Sequence, residues 1–140
     1  AWQYVSAFEY FARSKEKGYD KFTDIATNIA NVAKCPKDLR DDLQVYFLTH
    51  AEEVDINGVK KLKAKTLGKM IDNSLTLEGL FTIVLFNKII IDEDDNLKYV
   101  FQTQNSGSDT CKTPMGMFDE LYIPNDLKIV RESIIAYEND

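Results

Sequence analysis

The run Phe81–Ile91, FTIVLFNKIII, constrains this chain more than any other stretch. It is the longest apolar run, and it falls well short of the roughly 20 apolar residues that span a bilayer. Its β-branched and aromatic content predicts a central strand of a sheet. The acidic stretch Asp92–Asn96 reads as a turn and Leu97–Gln104 as a returning strand, so the two runs predict an antiparallel hairpin toward the C-terminal end.

Helices flank this sheet in the sequence. Trp2–Lys17 reads as an amphipathic helix with Val5, Phe8, Phe11 and Ala12 on one face, and Gly18 is a plausible stop. A second helix is predicted from Asp20, with Phe22, Ile25, Ala26, Ile29, Val32 and Ala33 at helical spacing. It ends before Pro36, which lacks the backbone donor a helix needs, and Lys37–Asp42 adds a helical turn. Leu43–Thr49, LQVYFLT, is short and apolar on both faces, the pattern of a buried parallel strand. Helix followed by buried strand predicts an α/β sheet. Asn57-Gly58 signals a hairpin turn, with Val59–Ala64 pairing back. Leu67–Leu80 is mixed and holds room for a short helix. Asp126–Tyr137 predicts a last helix that buries Leu127, Val130, Ile134 and Tyr137, capped by Asn125 or Asp126.

A chain of 140 residues, 44% of them hydrophobic, fits one domain spanning 1–140 with a real core. The net charge of -6 argues against broad, nonspecific nucleic-acid binding. Lys60, Lys61, Lys63 and Lys65 nevertheless supply a local basic patch. Cys35 and Cys111 lie far apart and form no CxxC pair, so they read as reduced thiols in a cytoplasmic protein. His50 is the only histidine, which excludes a histidine-based metal centre. No metal site is expected. The start carries no initiator methionine and no signal-peptide pattern. A domain seldom opens on an amphipathic helix with nothing before it to pack against, so the chain reads as one joined mid-fold.

Two places could carry chemistry. Thr49 and His50 end the predicted buried strand, and the carboxyl ends of strands line the ligand crevice of open α/β sheets. A polar pair there can sense a phosphate or hold an attacking water, or it can merely finish the strand. The second place is the polar loop within Phe101–Asp126, FQTQNSGSDTCKTPMGMFDELYIPND. There Lys112 stands among Ser106, Gly107, Ser108, Thr110 and Thr113. Such a loop can bring a lysine to a phosphate across a subunit interface or to a nucleic-acid backbone, or it can be a long surface connection. Glu52, Glu53 and Asp55 could act near a metal-bound phosphate, while Asp92–Asp95 reads as a solvated turn. Lys69 in TLGKM is no phosphate-loop lysine, because Lys63 stands where the motif needs glycine and Met70 where it needs Ser or Thr. Cys111 has no histidine near it in sequence and no G-x-S-x-G elbow exists.

Six segments taken together carry a resemblance: FARSKEKGYDKFTDIATN, LRDDLQVYFLTHAEE, KTLGKMID, LTLEGLFTIVLF, FQTQNSGSDTCKTPMGMF and IPNDLKIV. In this order the chain resembles the C-terminal portion of phage and prophage AAA-domain ATP-binding proteins. These are RecA-like P-loop NTPases of phage recombination and single-strand annealing. The resemblance covers nearly the whole chain and begins just past the Walker B acid, so both Walker motifs are missing here. It implies a partial RecA-like core, a sheet with flanking helices and a C-terminal antiparallel hairpin. It implies ATP and magnesium as cofactors of the complete protein, with Thr49 and His50 at the sensor position near the γ-phosphate. Lys112, with Ser106 and Gly107, would lie on a loop that faces the phosphates or a neighbouring subunit. Single-stranded DNA and phage recombination proteins are the implied partners, in the cytoplasm of a bacterial host and as a homo-oligomer. This chain alone would be inactive as an ATPase. The alternative is a non-catalytic DNA- or protein-binding module derived from the same fold.

Overall fold

The computed structural model describes the backbone of residues 2–66 and 76–139 and the side chains of 7–66 and 76–139. The mixed α/β chain has helices α1 (Trp2–Ala12), α2 (Asp20–Lys34) and α3 (Leu127–Glu138), and strands β1 (Ala51–Ile56), β2 (Val59–Ala64), β3 (Phe86–Ile91), β4 (Leu97–Gln102) and β5 (Tyr122–Pro124). The strands make two small sheets, β1-β2 and β3-β4-β5. Contacts divide the chain into two compact units, Ala1–Glu53 with Lys63–Leu80 and Val54–Leu62 with Phe81–Asp140.

In the first unit α2 is the organising element. It buries Ile25, Ile29 and Ala33 at four-residue spacing, the inward stripe its sequence predicts. It lies against α1 and the 3₁₀ turn Leu77–Leu80. A second 3₁₀ turn, Cys35–Asp38, ends α2 with Pro36 in its first turn. Gly18 has φ +106, a left-handed conformation that glycine adopts without a Cβ clash, and it reverses the chain between α1 and α2. Polar bonds tie the end of α1 and the turn after it to α2. Arg13 reaches Glu9 at 3.4 Å and Asp24 at 3.0 Å, and Asn28 Nδ2 donates to Glu9 at 3.0 Å. Phe8, Tyr10 and Phe11 of α1 meanwhile stay exposed.

Leu43–Thr49 corrects the sequence reading. The segment forms no strand, Leu43, Val45, Tyr46 and Leu48 are exposed, and Leu48 is 77% exposed. A strand needs a neighbour for its backbone groups, and β-branched composition alone does not supply one. The expected parallel strand is absent, and the β3-β4 and β4-β5 pairs are antiparallel.

The hairpin reading of the second unit holds. β3 and β4 pair from Phe86↔Gln102 to Ile91↔Leu97, and β5 adds through Phe101↔Ile123. The order β3-β4-β5 makes β4 the central strand and β3 an edge, so the long apolar run is not central. Only its second half is strand; Val84 ahead of it forms an isolated antiparallel bridge to Lys112. Asp92 organises the acidic turn, accepting from the backbone N–H groups of Asn96 at 2.8 Å and Asp94 at 3.0 Å. Lys98 lies 3.1 Å from its carboxylate. α3 begins on Asp126, whose carboxylate accepts from Lys128 N–H at 2.8 Å. Of the face expected for α3, Val130 is buried, while Leu127 and Tyr137 are largely exposed.

Candidate functional site

The loop between β4 and β5 is built around one buried carboxylate. β4 ends on Gln102, and Gln102, Thr103, Asp109 and Cys111 are all buried. Asp109 accepts from Gln102 Nε2 at 2.8 Å, from the Cys111 N–H at 3.0 Å, and from the Ser106 hydroxyl. Asn105 Nδ2 donates to its backbone oxygen at 2.6 Å, and Lys88 Nζ lies 4.0 Å from its carboxylate. Burial would push the Asp109 carboxyl up. The hydrogen bonds from Ser106, Gln102 and Cys111 outweigh that and hold it below the usual carboxylate range.

Backbone pairing fixes the rest of the loop. Lys112 exchanges both backbone hydrogen bonds with Val84, at 2.8 and 3.0 Å, and Leu62 N–H donates to Ser108 O at 2.8 Å. Gln104 Nε2 donates to Thr113 Oγ1 at 2.7 Å. Thr103 Oγ1 donates to Glu120 O at 2.7 Å. A connection with this many internal bonds is a fixed structure rather than a floppy surface loop.

No family model, no curated protein and no solved structure matches this chain. Its chemistry is therefore argued from its own groups.

The structure places the sequence-predicted residues unevenly. Ser106 and Gly107 come together, but their donors are engaged: the Ser106 hydroxyl on Asp109 and the Gly107 N–H on Asn105 Oδ1 at 2.5 Å. A phosphate at Ser106 would also meet the negative charge of Asp109. The Lys112 side chain is exposed, and only the backbone of that residue is held. It is the group of this loop best able to meet an anion. Thr49 and His50 belong to the first unit and are exposed. Thr49 Oγ1 lies 3.3 Å from the carbonyl oxygens of both His50 and Lys65. No cluster of three metal-ligating side chains occurs among the described residues. Lys69 and Met70 lie outside the described residues.

Cys111 is closed to nucleophilic chemistry. Its sulfur lies 2.9 Å from Gln102 O and 3.0 Å from Val84 O, two acceptors for its single proton, and burial pushes the thiol up to about 11. The basic run of β2 is partly countered, since Lys63 lies 3.6 Å from Glu52. Sequence reasoning passed over Gln102 and Asp109. The available signal was an acid and an amide inside a stretch of small hydroxyl donors, a composition that suits a satisfied buried carboxylate. No helix among the described residues is long and apolar enough to cross a membrane.

Proposed function

We propose that this chain is part of a phage-type ATP-binding protein, an AAA/RecA-like ATPase acting on single-stranded DNA in recombination. The observation that carries the reading is the ordered set of six resembling segments. The geometry adds one point of support. Leu43–Thr49 has the composition of an inner strand yet forms no strand and leaves Leu43, Val45, Tyr46 and Leu48 exposed, as an inner strand without its neighbours would. On this reading the phosphate loop and the magnesium-binding acid belong to the complete protein. ATP with magnesium supplies the phosphoryl chemistry there. Thr49 and His50 lie near the γ-phosphate, and the exposed Lys112 meets phosphates or DNA.

The test begins with the reading frame upstream of Ala1. A G-x-x-x-x-G-K-[ST] motif there is expected, and its absence removes the ATPase half of the reading. The complete protein should hydrolyse ATP, and Thr49→Ala should abolish turnover. The 140-residue chain alone should show none. A second reading, a non-catalytic DNA- or protein-binding module derived from the same fold, is favoured by the internal engagement of Ser106 and Gly107. It predicts salt-sensitive binding to single strands with no thermal shift on adding nucleotide.

A further inference from the structure

We propose that the outer edge of β3 pairs two copies of this chain, antiparallel and about a two-fold axis at Ile89, with the acidic turn of each copy meeting Lys112 of the other. The surface lies wholly within the second unit, and it goes beyond the proposed function because it needs neither nucleotide nor DNA.

The first observation is a row of unmet backbone groups. The Asp92 N–H donates to Asn96 O at 2.9 Å, which fixes the alternation along the hairpin. Ile90, Lys88 and Phe86 therefore exchange their bonds with β4, and Asn87, Ile89 and Ile91 turn theirs to the outer edge. Among the described residues no backbone hydrogen bond meets that edge. Edge strands are commonly blunted by proline, bulges or outward charges. β3 has an unbroken register and no proline, and its one charge, Lys88, lies on the face opposite Ile89, 4.0 Å from Asp109. Ile89 and Ile91 stand 57% and 67% exposed, beside Tyr99 and Leu97 at 61% and 64%.

The second observation chooses the occupant. Antiparallel pairing about Ile89 sets Ile89 opposite its own copy and Asn87 opposite Ile91. No charged side chain then faces a like charge across the edge, since Lys88 falls opposite Ile90. The same register carries the acidic turn, Glu93, Asp94 and Asp95, alongside Val84 of the second copy. Val84 is bridged on its far side to Lys112. The exposed Lys112 thus stands about two strand spacings, roughly 10 Å, from the turn, within reach of its long side chain. Neither segment around that bridge carries an acid, from Phe81 to Asn87 or from Thr110 to Phe118. Asp92 is already held by Lys98, while Glu93, Asp94 and Asp95 are exposed and make no ion pair among the described residues. Anions meet a cation at both ends of the edge, and a second copy supplies register and charge pattern together. A six-residue edge buries less than the roughly 800 Å² per partner of a standard interface, so the pair is weak and forms at high concentration.

The experiment is sedimentation equilibrium of the 140-residue chain, without nucleotide or DNA, from low micromolar to near-millimolar protein, with circular dichroism on every variant to verify folding. The average mass should rise with concentration toward twice that of the monomer. Ile89→Lys, which sets two ammonium groups side by side at the axis, should weaken association at least about tenfold. Lys112→Glu alone, and Glu93→Lys with Asp94→Lys alone, should each weaken it about threefold, and the three together should restore it. A mass that stays monomeric throughout overturns the proposal. Association that Ile89→Lys leaves intact, or charge variants that do not restore one another, overturns this pairing. Neither result touches the ATPase reading, which is decided by the reading frame upstream.

Discussion

Gln102 Nε2 donates to the carboxylate of Asp109 at 2.8 Å, and both side chains are buried. The same nitrogen also donates to Gln104 O at 2.5 Å, so two acceptors fix which way the amide points. Its Oε1 is left buried with no hydrogen-bond partner among the described residues. A buried acceptor left unpaired costs free energy. The loop accepts that cost because the same amide ties β4 to the one carboxylate on which Ser106, Cys111 and Lys88 converge.

Asp109→Asn should therefore destabilise the chain although the side chain keeps its shape. The substitution removes the charge facing Lys88 and turns one acceptor into a donor among groups that already donate. Hydrogen bonds to a charged group typically contribute about 2 kcal/mol each, and the expected loss is of that order. A urea melt read by circular dichroism measures it. A midpoint equal to that of the wild type would mean that this carboxylate does not hold the loop.

Acid should unfold the chain through the same group. Asp109 is held below the usual carboxylate range by Ser106, Gln102 and Cys111 against the opposing effect of burial. Asp92 is held below it first by the Asn96 N–H and then by Lys98. The folded chain binds these protons less readily than the unfolded one, so protonation favours unfolding. The contribution is complete above about pH 4, the ordinary aspartate value, and declines as pH falls through the lower folded-state values. Melting temperature against pH should show this fall, and Asp109→Asn should flatten it.

How far these features could be read in the sequence depends on the range of the forces involved. The β3-β4 hairpin, the Asn57-Gly58 turn, the span of α2 and the Asp126 cap were legible because each is decided within a few residues. Asn57 and Gly58 have φ +55 and +80, the conformation that this dipeptide favours. Leu43–Thr49 misled because a strand is defined by what lies beside it, and residue types carry no record of that. The position of β3 failed for the same reason, since edge and centre differ only in the number of neighbours. Asp109 was missed because its partners Lys88 and Gln102 lie at distances in sequence that periodicity does not register. Ser106, Gly107 and Lys112 were legible as a polar loop, but which of their donors are engaged is a tertiary fact.

Cys111 should resist alkylation in the folded chain while Cys35, which is exposed, reacts. Desolvation raises the Cys111 thiol to about 11, so little thiolate forms near neutrality and access is closed as well. Iodoacetamide at mildly alkaline pH, followed by mass spectrometry, should add one group to the native chain and two after denaturation. The raised value also means that this thiol favours folding at neutral pH. That contribution begins to fade once pH exceeds the unfolded value near about 8.5.

Lys112→Ala should separate folding from function. The position is held through its backbone alone, by the paired bonds to Val84, and alanine keeps both of them. The side chain is exposed, so the change in stability should stay within about 0.5 kcal/mol. If Lys112 meets phosphate as proposed, the same substitution in the complete protein should depress ATP turnover or single-strand affinity well beyond what its unchanged melting temperature explains. Denaturation of the 140-residue chain, with turnover and DNA binding of the complete protein, makes the comparison. Unchanged turnover and unchanged DNA binding would remove Lys112 from the site and leave the loop a structural element organised by Asp109.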